Sequence, residues 1–77
     1  MNVIDHNEFY VKLAEILDVD EIQPESILKD FDEWDSLAVL SVLAMADSKY
    51  GVTIRADEIR TVNTAADLAQ LVAAKKN

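Results

Sequence analysis

The apolar residues of this chain recur at helical spacing in separate blocks, and the breaks between the blocks carry turn and capping residues. Phe9, Leu13, Ile16 and Leu17 repeat three and four apart, which predicts an amphipathic helix from about His6 to Asp18 with those four side chains facing a core. Asp5 stands where an N-cap belongs, with Glu8 three residues on as in a capping box. Ile4 and Phe9 flank the cap as a hydrophobic staple does. A long connection follows, Val19 to Trp34, in which Pro24 blocks a continuing helix. Its Ile22, Ile27, Leu28, Phe31 and Trp34 are too apolar for a solvated loop and should lie across the core, with one short turn within Ser26–Asp30.

The next block, from Asp35 or Ser36 to Tyr50, is apolar almost all round. Gly51, the only glycine, follows where a helix C′ residue needs positive φ. Ser41 and Ser48 share one stripe, with Asp47 beside it, and at about 100° per residue Leu37 and Ala44 fall on that stripe with Leu40 at its edge. Val39, Leu43, Ala46 and Tyr50 lie opposite and are the expected core positions; Leu37, Leu40 and Met45 are then exposed or half-exposed. Exposed apolar side chains beside a helix start mark a docking surface. The competing expectation is that a small bundle buries this helix on more sides.

Val52–Ile54 reads as an extended connector, and Ala56–Arg60 as one or two helical turns with Ile59 inward. Val62 leads to a last helix from Thr64 to about Lys75. It opens on a Thr64/Asp67 capping box, its inner stripe is Leu68, Leu71 and Val72, and Lys75 and Lys76 complement the dipole at its end. No repeat, low-complexity stretch or linker interrupts the pattern. The expected fold is all-α: a small four-helix bundle of three main helices and one short one, as a single domain over residues 1–77.

Composition narrows the function classes. Apolar residues make up 51% of the 77, enough for a modest core. Fifteen acidic residues against seven basic ones give a formal charge of −8, which repels nucleic acid and anionic membranes and attracts basic protein surfaces. Without cysteine there is neither a disulfide framework nor a Cys metal site. The start, Met-Asn-Val-Ile-Asp-His, has no leader pattern, and the longest near-continuous apolar run, Leu37–Ala46, is too short to span a membrane. The expected setting is the cytoplasm, the expected state a monomer.

The segment that carries chemistry is Asp32-Glu33-Trp34-Asp35-Ser36-Leu37. An Asp-Ser pair at a helix start displays a hydroxyl beside free backbone N–H groups, which favour phosphate oxygens. Capping is the ordinary use of such a pair. Its context, however, resembles the attachment site of acyl and peptidyl carrier proteins, which is marked by Asp-Ser-Leu at the start of the second helix. The resemblance spans nearly the whole chain: an amphipathic helix, the loop Ile22-Gln-Pro-Glu-Ser-Ile-Leu28, the motif, a helix of about fifteen residues, Tyr50-Gly51-Val-Thr-Ile54, a short helix, and Thr61-Val62-Asn-Thr-Ala-Ala-Asp-Leu68.

The resemblance implies a carrier with no catalytic residue of its own. A phosphopantetheinyl transferase would move 4′-phosphopantetheine from coenzyme A to the Ser36 hydroxyl, and the arm's thiol would hold an acyl or aminoacyl cargo as a thioester. The chain's lack of a thiol accords with this. Asp35, Leu37, Leu40, Ser41 and Ala44 occupy the family's partner-recognition positions, read by the transferase, by a cargo-loading ligase or acyltransferase, and by downstream acceptor enzymes. The chain departs from the pattern at Glu33, where glycine is frequent, and at Trp34, where a small residue is common. Trp34 would either pack on the loop or shield the arm. Carriers of bulk fatty acid synthesis bear several acids along the second helix, whereas this one shows Ala38, Ser41, Ser48 and Lys49 with only Asp47 acidic. The segment around the third helix is also a few residues shorter. These departures imply a dedicated pathway, of fatty acyl, polyketide or nonribosomal peptide type.

Three rival readings stand beside the carrier. A Ser36–His6 hydrolase would need the only histidine as its base, with a third group to orient it, and no nucleophile-elbow context marks the serine. Calcium loops begun at Asp18 or Asp30 miss both the glycine and the terminal glutamate they require. An acidic helical adaptor without a prosthetic group fits the charge and the size, though not the exposed serine.

Overall fold

The computed structural model describes residues 4–76; Met1–Val3 and Asn77, and with them the reading of the first residues and the outer limits of the 1–77 unit, lie outside. Helix α1 is His6–Leu17. Asp5 is extended and accepts the Glu8 N–H at 3.2 Å, so the cap forms where the sequence places it. The box does not close, because the Glu8 carboxylate turns to Lys49 at 2.9 Å. A full cation is a stronger partner than a neutral N–H that water can serve. Asp18 ends α1 in the left-handed region at φ 57°, and its N–H bonds the carbonyls of Ala14 and Glu15. Aspartate tolerates that conformation better than most residues.

The connection to the next helix contains one 3₁₀ turn, Leu28–Asp30. Ile22 and Leu28 are buried, and Phe31 and Trp34 pack half-buried against the core, so this segment closes the bundle as expected. Helix α2, Ser36–Tyr50, stops at Gly51, whose φ is 68°. A Cβ there would meet nothing within 4 Å, so the positive φ alone is what calls for glycine. After the extended Val52–Ile54 comes α3, Ala56–Ile59, and then α4, Ala65–Lys75. Glu58 ties these last two together: one carboxylate oxygen accepts the Arg55 N–H at 3.0 Å, and the other pairs with Lys75 near the end of α4 at 2.6 Å. Among the described residues there is no strand, only an isolated bridge between Ile27 and Thr64.

Phe9, Leu13 and Leu17 of α1, Leu28 of the connection, Val42 of α2, Ile59 of α3 and Leu68 and Val72 of α4 are all fully buried, so each element contributes to one core. Among the described residues no charged side chain is buried. Helix α2 runs antiparallel to α1: the Lys49–Glu8 pair and the Phe9–Tyr50 rings, 6.2 Å apart, join the end of one to the start of the other.

Two core expectations shift. On α2 the buried line is Ala38–Val42–Ala46, so Ala46 is buried as expected while Val39, Leu43 and Tyr50 are only half-buried. The helix packs against both α1 and α3, so burial is greatest between them rather than opposite the serine stripe. On α4 the inner line is Ala65, Leu68, Ala69 and Val72, with Leu71 half-buried.

Candidate functional site

Ser36 is the first residue of α2 and is exposed. Two consecutive turns fix the approach: the Trp34 N–H donates to the Phe31 carbonyl at 3.1 Å and the Asp35 N–H to the Glu33 carbonyl at 2.9 Å. Trp34 anchors the segment by packing against the core, while Asp32, Glu33, Asp35 and Ser36 stay at the surface. Asp35 is the N-cap, in an extended conformation, and its carboxylate accepts the Ala38 N–H at 3.0 Å. The aspartate therefore takes the capping role, which leaves the serine hydroxyl uncommitted.

The first turns of α2 and α4 are satisfied differently. In α4 the Thr64 N–H donates to Asp67 at 3.1 Å, the Ala65 N–H to the Ser26 carbonyl at 3.0 Å, the Ala66 N–H to the Pro24 carbonyl at 2.8 Å and the Asp67 N–H to the Thr64 hydroxyl at 3.1 Å. Every orphan donor of that helix start has a partner. In α2 the N–H groups of Ser36 and Leu37 meet no acceptor among the described residues. They remain open to solvent or to an anionic group beside the serine.

The other sequence-predicted residues lie around this hydroxyl. Asp35, Leu37, Leu40, Ser41 and Ala44 are all exposed, with Leu37 at 72% and Leu40 at 60%. At about 100° per residue, Leu37, Leu40, Ser41 and Ala44 fall within an arc of about 100°. Helix α2 is thus apolar on two sides, one packed and one bare, which explains its near-uniform hydrophobicity. The bare side is uncharged until Asp47, whereas Asp30, Asp32, Glu33 and Asp35 form an exposed acidic approach.

Sequence reasoning did not find the groove beside Ser36. Ser36, Val39 and Leu40 of α2 face Ala56 and Arg60 across a cleft of about 310 Å³. Arg60 sits at the C-terminal end of α3, exposed and in no ion pair among the described residues. Nothing in its local sequence marks it; only the packing of α3 on α2 brings it to the serine. An unencumbered hydroxyl, two open N–H groups and an adjacent groove with apolar walls fit a phosphodiester-linked arm.

The rival chemistries find no support in this arrangement. His6 lies at the Tyr50 end of α2, edge-on to the Tyr10 ring at 6.2 Å, and α2 alone puts about 20 Å between that end and Ser36. Among the described residues no group of three or more acidic or histidine side chains is placed to hold a metal ion. Nor is any helix among them long and apolar enough to cross a membrane.

The family model for the phosphopantetheine attachment site matches residues 9–72. The chain is 32% identical over 72 residues to an acyl carrier protein of Acidothermus cellulolyticus, covering 86% of each chain. It is 31% identical over 71 residues to an acyl carrier protein of Myxococcus xanthus, covering 84% of this chain and 90% of that one. A third acyl carrier protein, from Micrococcus luteus, is 31% identical over 71 residues, with 84% and 88% covered. No solved structure matches the chain significantly.

Proposed function

The chain belongs to the phosphopantetheine-binding acyl carrier family, and on that premise we propose that Ser36 is the residue esterified by the arm. Members of the family are carriers rather than enzymes, and their covalent group is 4′-phosphopantetheine. One observation carries the assignment to Ser36: its hydroxyl stands exposed at the first position of α2 while the neighbouring Asp35 does the capping. In the transfer, the serine oxygen bonds to the phosphorus as a phosphate–oxygen bond of the coenzyme A pyrophosphate breaks. The hydroxyl proton leaves, and adenosine bisphosphate departs.

When attached, the arm supplies a thiol that holds cargo as a thioester. The protein's part is to present that arm beside a surface other enzymes can grip. Asp35, Leu37, Leu40, Ser41 and Ala44 form that surface in this proposal, and residues 1–77 act as one carrier domain, monomeric and cytoplasmic. The transferase, a cargo-loading ligase or acyltransferase, and an acceptor enzyme would bind it in turn. The scarcity of acids on α2 supports service in a dedicated pathway, and efficient use by a general fatty acid synthase would count against that. Intact mass after incubation with coenzyme A and a broad-specificity transferase tests the site. Wild type should gain the mass of one phosphopantetheine and Ser36→Ala none; folded wild type that gains nothing would favour an adaptor without the arm.

A further inference from the structure

We propose that Arg60 is the residue that holds the phosphodiester of the arm against α2, a reading that rests on attachment at Ser36. The groove beside Ser36 has three apolar contributors, Val39, Leu40 and Ala56, and one cation, Arg60. In a chain of net charge −8, an arginine in that position needs a reason. Of the other six cations, Arg55 pairs with Asp57 at 3.2 Å, Lys49 with Glu8 at 2.9 Å and Lys75 with Glu58 at 2.6 Å, while Lys12, Lys29 and Lys76, unpaired among the described residues, do not line this groove. Arg60 has no carboxylate partner among the described residues and lines the same cleft as the serine.

The geometry selects which part of the arm Arg60 meets. A cleft of about 310 Å³ spans only a few side chains, so a group that shares it with Arg60 must lie close to Ser36. The phosphodiester is bonded directly to the serine oxygen, whereas the thiol and its cargo lie a whole pantetheine away. The phosphodiester keeps its negative charge throughout the physiological range, and the planar guanidinium suits two phosphate oxygens at once. Held at its root, the arm would start along the apolar walls of the groove instead of swinging freely. Arg60 is a positioning residue here, and α3 sets its place through the Glu58–Lys75 tie to α4.

The test uses the holo protein, with attachment at Ser36 first verified by mass in wild type, Arg60→Gln, Arg60→Lys and the Ser36→Ala control. Side-chain Nε–H resonances of ¹⁵N-labelled protein are then compared between apo and holo forms, with the ³¹P resonance of the arm read in parallel. The Arg60 signal should move on conversion to holo and return toward its apo position in high salt, while that of Arg55, held by Asp57, stays still. The ³¹P resonance should shift in Arg60→Gln and shift less in Arg60→Lys, with the docked population of the arm falling roughly two- to fivefold in the glutamine variant, as expected for an exposed ion pair. An Arg60 signal unmoved by a fully attached arm overturns this inference and leaves Ser36 standing. Wild type that gains no mass, or Ser36→Ala that does, overturns both.

Discussion

Replacing Asp35 tests how the serine is presented. The Asp35 carboxylate is the acceptor that α2's first turn has within the protein, taking the Ala38 N–H at 3.0 Å, while the Ser36 and Leu37 N–H groups have none among the described residues. Asp35→Ala removes that acceptor and should cost about 1 kcal/mol for the cap. In a domain this small the loss lowers Tm by about 4–8 °C. Asp35→Asn keeps an equivalent acceptor and gives up only the favourable charge at the helix start, a few tenths of a kcal/mol. The two variants should therefore differ by about 1 kcal/mol, or about 1 M in urea midpoint. Amide exchange at Ala38 and Val39 should speed up in the alanine variant and not in the asparagine one. Thr64→Ala provides the contrast, because the Ala65 and Ala66 N–H groups of α4 stay bonded to Ser26 and Pro24 and its first turn should remain protected. Equal midpoints for Asp35→Ala and Asp35→Asn, or unchanged exchange at Ala38, would refute the capping argument.

Three further outcomes follow from the same structure. Hydrogen bonds from Lys75 and from the Arg55 N–H hold the Glu58 carboxyl below its ordinary 4.5, and the Thr64 and Asn63 N–H groups hold Asp67 below its ordinary 3.8. Because both folded values lie under the unfolded ones, their stabilisation is complete above those ordinary values and is lost as pH falls through the depressed ones; Glu58→Gln with Asp67→Asn should flatten the acid limb of urea stability against pH. The buried Tyr50 hydroxyl has no partner among the described residues, so Tyr50→Phe should leave stability unchanged or raise it by up to about 1 kcal/mol, and a clear loss in a thermal melt would reveal an acceptor. Leu40→Asp should change urea stability by less than about 0.5 kcal/mol, because Leu40 is 60% exposed, yet slow arm transfer at limiting protein by about fivefold or more; wild-type transfer rates would remove Leu40 from the docking surface.

The parts of this fold that could be read from the chain are those fixed by local chemistry. Asp5, Gly51 and Thr64 each act within one turn of themselves, so α1 starts, α2 stops and α4 starts where those residues stand. The apolar connection was legible because Ile22, Leu28 and Trp34 have no use in water. What escaped depends on neighbours distant in sequence. The buried line of α2 is set by α1 on one flank and α3 on the other, and a helix apolar all round has no periodic signal to announce it. Glu8 abandons its capping box for a lysine 41 positions away, a choice only the antiparallel packing makes available. The bonds from α4 to Pro24 and Ser26 are between backbones and leave no side-chain signature. Ser36 was legible through its motif, and Arg60 was not, because a helix of four residues cannot be oriented by periodicity.

The two apolar sides of α2 pose an energetic question that bears on function. Fully burying a leucine is worth about 1.5–3 kcal/mol, and a small core has few such gains to give away. Yet Leu37 and Leu40 stand in water while the buried line of the same helix is Ala38, Val42 and Ala46, one medium and two small residues. Small side chains there let α2 lie close against its neighbours, so the helix is held by tight packing rather than by its largest hydrophobes. On the proposed docking role, the exposed leucines are what a partner would cover, on a helix whose backbone is already ordered. An enzyme that covers them gains their burial without also having to order the helix, which favours contacts that form readily. An interface confined to this stripe would be small and its release fast, which suits the proposed visits to several enzymes in turn. Larger residues on that buried line would push α2 outward at a cost in stability, and would disturb the groove that Ser36 lines with α3.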